Sequence, residues 1–221
     1  MARPTSLGFA LWLLHAGPAI AGSIEGPALV VDGDTIDIDG TRIRLHGIDA
    51  PEAGQKCSKA DGVEWRCGQS AVKALARLVQ GKMVRCINLT GDGMGRMVAS
   101  CHVAGADVSA QLVRTGYAWA FVRYSRDYVT LEEQARTRGI GIWQGTAQPA
   151  WEYRADRWKV EVQTAPNGCP IKGNVSDRGR IYHAPWSPWY SKTHVNLRQG
   201  DLWFCSEAEA VAAGFRAPLW N

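Results

Sequence analysis

The sequence predicts an α+β fold dominated by β structure, a five-stranded barrel with about three helices, followed by a small disulfide-stapled C-terminal module. Three observations carry this. Residues 35–39 alternate isoleucine with polar residues, the period-2 pattern of a half-buried strand. Val72, Leu75, Ala76 and Val79 recur instead at helical spacing. Beyond residue 155 the composition shifts, with five of the ten tryptophans falling there, which marks a second unit.

The elements follow in order. Residues 1–21 have a basic start at Arg3, an apolar run from Leu7 to Leu14 and a small-residue site at Ala19-Ile20-Ala21, the pattern of a secretory signal peptide. The apolar run is shorter than the roughly 20 residues that a membrane span needs. Strands are expected at 28–31, 35–39 and 41–46, joined by turns at Asp32-Gly33-Asp34 and Gly40. In the third, Ile43 and Leu45 share one face while Arg42, Arg44 and His46 share the other.

A cysteine-bracketed loop, 55–68, leads into the first helix, which Gly81 stops. Strands 82–89 and 96–103 form a hairpin around a loop rich in glycine and aspartate. Asp107 and Ser109 open a second helix that Gly116 closes, and 128–138 is a third, ended by Gly139. Three strands, a helix, two strands and late helices describe a Greek-key barrel of the OB-fold type. The expected organisation is a signal peptide at 1–21, the OB-fold domain at 22–157 and an accessory module at 158–221.

Removal of residues 1–21 takes Arg3 away from a net charge of +4 and leaves +3. That mild excess fits a polyanionic partner without requiring one. The chain is expected to be secreted to the periplasm or the medium, to keep no stable membrane association after signal removal, and to be a monomer. Cys57, Cys67, Cys86, Cys101, Cys169 and Cys205 are an even set in an exported chain. Six cysteines allow about 15 connectivities, among which sequence proximity and strand pairing favour 57–67, 86–101 and 169–205. A zinc site from Cys169, His183, His194 and Cys205 is the weaker reading of the tail, since small exported modules depend on disulfide staples.

Acidic residues and arginines gather where strands turn or end: Asp32-Gly33-Asp34, Arg44, Asp49-Ala50-Pro51-Glu52 and Arg96. Carboxylates with a free carbonyl are hard oxygen ligands that suit calcium. Arginines beside them offer planar forks that match phosphate oxygens. Together these groups point to phosphodiester cleavage, although each alone is an ordinary turn or a solvated strand residue.

From Val30 to about Trp151 the chain resembles the thermonuclease (staphylococcal nuclease-like) family. The matching stretches are Val31-Asp-Gly-Asp-Thr35, Arg44-Leu-His-Gly-Ile-Asp-Ala-Pro-Glu52, Gly95-Arg96, and Leu112-Val-Arg-Thr-Gly116 followed by Ala118. The resemblance implies a calcium-dependent endonuclease acting on DNA and RNA with little sequence specificity. It implies that Asp34, Asp49 and the Ala50 carbonyl bind calcium with Asp32 beside them, that Glu52 is the general base, and that Arg44 and Arg96 hold the phosphate. Met94 stands where the family often has a tyrosine that contacts the nucleotide. A further aromatic contact falls to Tyr124, with Phe121 and Tyr128 competing.

The alternative is a non-catalytic OB-fold that binds single-stranded nucleic acid. It fits less well, because Asp34, Arg44, Asp49, Glu52 and Arg96 are all present. Since each of these precedes residue 100, a chain ending near Trp158 is expected to keep most of its activity.

Overall fold

The computed structural model describes residues 22–92 and 96–220. The expected signal peptide and Met94 lie outside the described residues. The chain begins with β1 (Ser23–Pro27), β2 (Leu29–Asp32), β3 (Thr35–Ile38), β4 (Thr41–Leu45) and β5 (Ile48–Asp49). Next come β6 (Cys57–Lys59), β7 (Glu64–Trp65), α1 (Cys67–Val79), β8 (Met83–Gly91), β9 (Met97–Val103) and β10 (Ala106–Asp107). They are followed by α2 (Val108–Arg114), β11 (Trp119–Ala120), α3 (Val129–Thr137), β12 (Gly145–Thr146) and α4 (Ala150–Glu161). The tail holds β13 (Ile171–Ser176), β14 (Gly179–His183), β15 (Leu202–Phe204) and α5 (Glu207–Ala212).

The main sheet has seven strands in the order β1-β8-β9-β4-β3-β2, with β10 paired to β9. The five expected strands are β2, β3, β4, β8 and β9. The count differs because β1 and β10 add to them: β1 is an edge strand whose single isoleucine and Gly-Pro end carry no alternation. Among the described residues the pairing runs from β1 to β2 without closing, so the sheet is not the hydrogen-bonded ring that a closed barrel requires. Five α-helices are described rather than about three. The expected ones are α1, α2 and α3, and the others are α4, which runs through the expected boundary at residue 157, and α5 in the tail.

Local chemistry accounts for the hairpins and caps. Asp39 and Gly40 both have positive φ, 49° and 80°, the two-residue turn whose twist matches flanking antiparallel strands. The Asp107 carboxylate accepts the Ala110 N–H at 3.0 Å and caps α2. The core lies between the sheet and α1, α2 and α3, where Ile36, Ile38, Ile43 and Leu45 are at most 1% exposed. Each such side chain stabilises the fold by about 1.5–3 kcal/mol. Because side chains alternate along β4, burial of Ile43 and Leu45 turns Arg42, Arg44 and His46 to the opposite face, and all three line a cleft there.

Disulfides join Cys57 to Cys67, Cys86 to Cys101 and Cys169 to Cys205. Cys86 and Cys101 face each other directly across β8 and β9. The third bond consumes both thiols of the zinc reading, which is thereby excluded. A second, smaller core around Ile171, Tyr182, Phe204 and Phe215 organises the tail.

Candidate active site

The turn between β2 and β3 presents two carboxylates. Asp32 Oδ1 accepts the Gly33 N–H at 2.7 Å and closes the turn. Asp34, 5% exposed, accepts the Thr35 hydroxyl at 2.8 Å and the Ala50 N–H at 3.3 Å, which brings Ala50 against it. Arg44 lies opposite Thr35 in the β3–β4 register. Its guanidinium bridges two acids, donating from Nη1 to Asp34 Oδ1 at 3.1 Å and from Nη2 to Asp49 Oδ1 at 2.7 Å. Asp49 ends β5 and is wholly buried.

Glu52 is 7% exposed, and its backbone is fixed from both sides. Its N–H donates to Gln55 Oε1 at 3.2 Å, while the Gln55 N–H donates to the Glu52 carbonyl at 2.7 Å. Gln55 Nε2 in turn donates to the Gln148 carbonyl at 2.6 Å. The first turn of α1 packs so close that a Cβ on Gly68 would stand 1.7 Å from the Glu52 carbonyl oxygen. Only glycine fits there. The Cys57–Cys67 disulfide joins this loop to the start of α1.

The structure adds a residue that the sequence reading missed. Arg154 of α4 donates to Asp49 at 3.1 Å from Nη1 and 2.8 Å from Nη2, and Nη1 also lies 2.5 Å from Glu52 Oε1. Trp151, Arg154, Ala155 and Trp158 all line the cleft. Their i, i+3, i+4, i+7 spacing is that of one helix face, a signal hidden when this segment is taken as a domain exit.

Charge crowding sets the proton affinities. Burial, and then the charge of Asp34, raise Asp32 to about 6. Burial and the neighbouring Asp32 hold Glu52 well above the usual glutamate range. Asp34 is buried as well, yet Arg44 and the Thr35 hydroxyl bring it below its ordinary value. Four carboxylates, Asp32, Asp34, Asp49 and Glu52, share the site with Arg44 and Arg154, so the donors it could offer a cation are all oxygen. Among the described residues no group of three or more histidine, cysteine or acidic side chains is arranged to hold a metal ion. A cation here would therefore draw on few side chains, the Ala50 carbonyl and solvent.

Arg96 lines the same cleft, with Nε and its backbone N–H both donating to Asp92. Tyr124 also lines the cleft and is 68% exposed, its ring 5.1 Å from Phe121. Phe121 is stacked on Trp151 at 5.4 Å. Tyr128 does not compete for a substrate contact: it is 6% exposed and its hydroxyl donates to Asp107 at 2.9 Å.

The family model described as staphylococcal nuclease homologue matches residues 42–145, and a second model, ArfC, matches residues 159–217. The chain is 36% identical over 156 residues to the "Succinoglycan biosynthesis protein ExoI" of Rhizobium meliloti (strain 1021), covering 67% of this chain and 78% of that one. It is 33% identical over 150 residues to an "Uncharacterized endonuclease" of Escherichia coli O157:H7, covering 64% of this chain and 92% of the relative. The "Probable staphylococcal-like nuclease CAN1" of Oryza sativa subsp. japonica is 33% identical over 119 residues, and the chain spans only 33% of its length. Motif order, the buried carboxylate and arginine cluster and these similarities together place the chain in the staphylococcal nuclease family of phosphodiester hydrolases.

Proposed function

We propose that the chain is a secreted, calcium-dependent endonuclease that hydrolyses DNA and RNA with little sequence specificity. The observation that carries this reading is the meeting of Asp32, Asp34, Asp49 and Glu52 with Arg44 and Arg154 beside a cleft that Arg96 also lines. Residues 22–157 form the nuclease unit on this reading, with strand content akin to an OB-fold, and 158–221 the disulfide-stapled module. Three disulfides support an oxidising destination. Among the described residues no helix is long and apolar enough to cross a membrane.

Asp34, Asp49 and the Ala50 carbonyl would hold calcium, with Asp32 beside it. When bound, the ion polarises the phosphate as a Lewis acid and acts as a template. Glu52 accepts the proton of the attacking water. Arg44 and Arg96 stabilise charge on the equatorial phosphate oxygens, where donors fixed in advance are worth most. Arg154 is a positioning residue that orients Glu52 and Asp49 through its fork.

Covalently closed single-stranded DNA circles, supercoiled plasmid and RNA, each incubated with the 22–221 chain in calcium, test the endonuclease reading. All three are expected to be cut, the circles included. Circles that stay closed while linear strands shorten would reveal an exonuclease, and intact substrates throughout would leave only a binding protein.

A further inference from the structure

The cleft of about 780 Å³ beside the carboxylate cluster is not walled by the nuclease strands alone. Trp186, Trp189 and Trp220, all from the tail, also line it, and each is only half-buried. The rings of Trp189 and Trp220 lie 4.8 Å apart at 43°, and Trp186 stands 6.3 Å from Trp158 of α4.

The wall is attached to the site at two points. The Trp220 N–H donates to the Val30 carbonyl at 2.9 Å, which bridges the tail to the edge strand that leads into Asp32. A Cβ on Gly54 would lie 2.8 Å from the Trp186 carbonyl oxygen, so the loop after Glu52 packs directly on the tail. The arginines face the same space. Tyr182, a cleft residue of the tail, lies within the electrostatic reach of Arg42 and Arg96. Arg42 Nε is buried, makes no hydrogen bond among the described residues, and stands 3.9 Å from Asp37.

We propose that this tryptophan wall is a base-stacking subsite for single-stranded nucleic acid whose phosphates lie along Arg42, Arg44 and Arg96. The proposal rests on the nuclease reading and extends it to substrate class. Aromatic side chains and arginines lining one cleft are the combination that binds unpaired strands without reading sequence, because every base has a π-face. A duplex keeps its base faces stacked and offers them to no wall. The tail is on this account half of the substrate groove.

Fluorescence anisotropy of the 22–221 chain in chelator, with a labelled oligothymidylate and an abasic strand of equal length, tests the wall. The abasic strand carries the same phosphates without bases. The base-bearing strand is expected to bind at least about tenfold more tightly, the scale of one stacked base. Trp186→Ala and Trp189→Ala should each remove much of that preference and leave the abasic affinity unchanged. Trp189→Phe, which keeps a ring in place, should retain most of it.

Equal binding of the two strands, no binding of either, or full base preference in both alanine variants would overturn the proposal. Plasmid cleavage in calcium, run in parallel, separates the two failures. Normal cleavage without base preference removes the stacking wall alone, whereas absent cleavage removes the nuclease reading itself.

Discussion

Arg44→Met is expected to destabilise the fold by about 3–5 kcal/mol and to abolish cleavage. The Arg44 guanidinium is the only group hydrogen-bonded to both Asp34 and Asp49 among the described residues, and its side chain is 16% exposed. Its loss leaves Asp34 without its guanidinium partner in a buried setting, and removing one partner of a buried pair costs more than the pair ever contributed. Methionine keeps an unbranched, apolar stem of similar reach, so the effect reports charge rather than a cavity. Urea denaturation of both proteins at neutral pH measures the change. A difference below about 1 kcal/mol, the range of exposed ion pairs, would show that the bridge is not structural.

Glu52→Gln is expected to lower the single-turnover rate about 100- to 10,000-fold, the range of a general base, with little change in fold. The pH profile follows from the raised carboxyl. Glu52 must be ionised to accept a proton, and burial with the nearby Asp32 keeps it protonated to a higher pH than an ordinary glutamate. The rate should therefore climb with pH beyond the usual carboxylate range, on a limb that Glu52→Gln abolishes. A glutamine variant that cleaves at the wild-type rate, or keeps the limb, would transfer the base role elsewhere.

Much of this site could be read from the sequence because strand alternation is local. Burial of Ile43 and Leu45 obliges Arg44 to face away from the core, and the Asp32-Gly33-Asp34 turn sets two carboxylates beside it. Cys86 and Cys101 fall opposite each other because their hairpin fixes the register. Arg154 escaped for the converse reason: it lies 105 residues from Asp49 along the chain. No spacing rule reaches across such a separation, and the helix that carries it straddles the expected boundary at residue 157.

Sheet closure escaped in the same way, since which strand forms an edge depends on long-range pairing. The tail was likewise expected to be dispensable because the motif residues precede residue 100. With Trp186 and Trp189 lining the cleft and Trp220 bridged to Val30, a chain ending near Trp158 would keep Arg154 but lose the tail's share of the cleft lining.

That the carboxylate and arginine cluster is a calcium-dependent hydrolytic centre is tested most directly by single-turnover cleavage of a labelled single strand. The 22–221 chain would be assayed in calcium, in magnesium and in excess chelator. Rapid cleavage is expected in calcium and none in chelator, with little in magnesium, whose smaller shell demands stricter octahedral geometry and dehydrates reluctantly. Undiminished cleavage in chelator would contradict the metal assignment, and a strand left whole in calcium would contradict the hydrolytic centre itself.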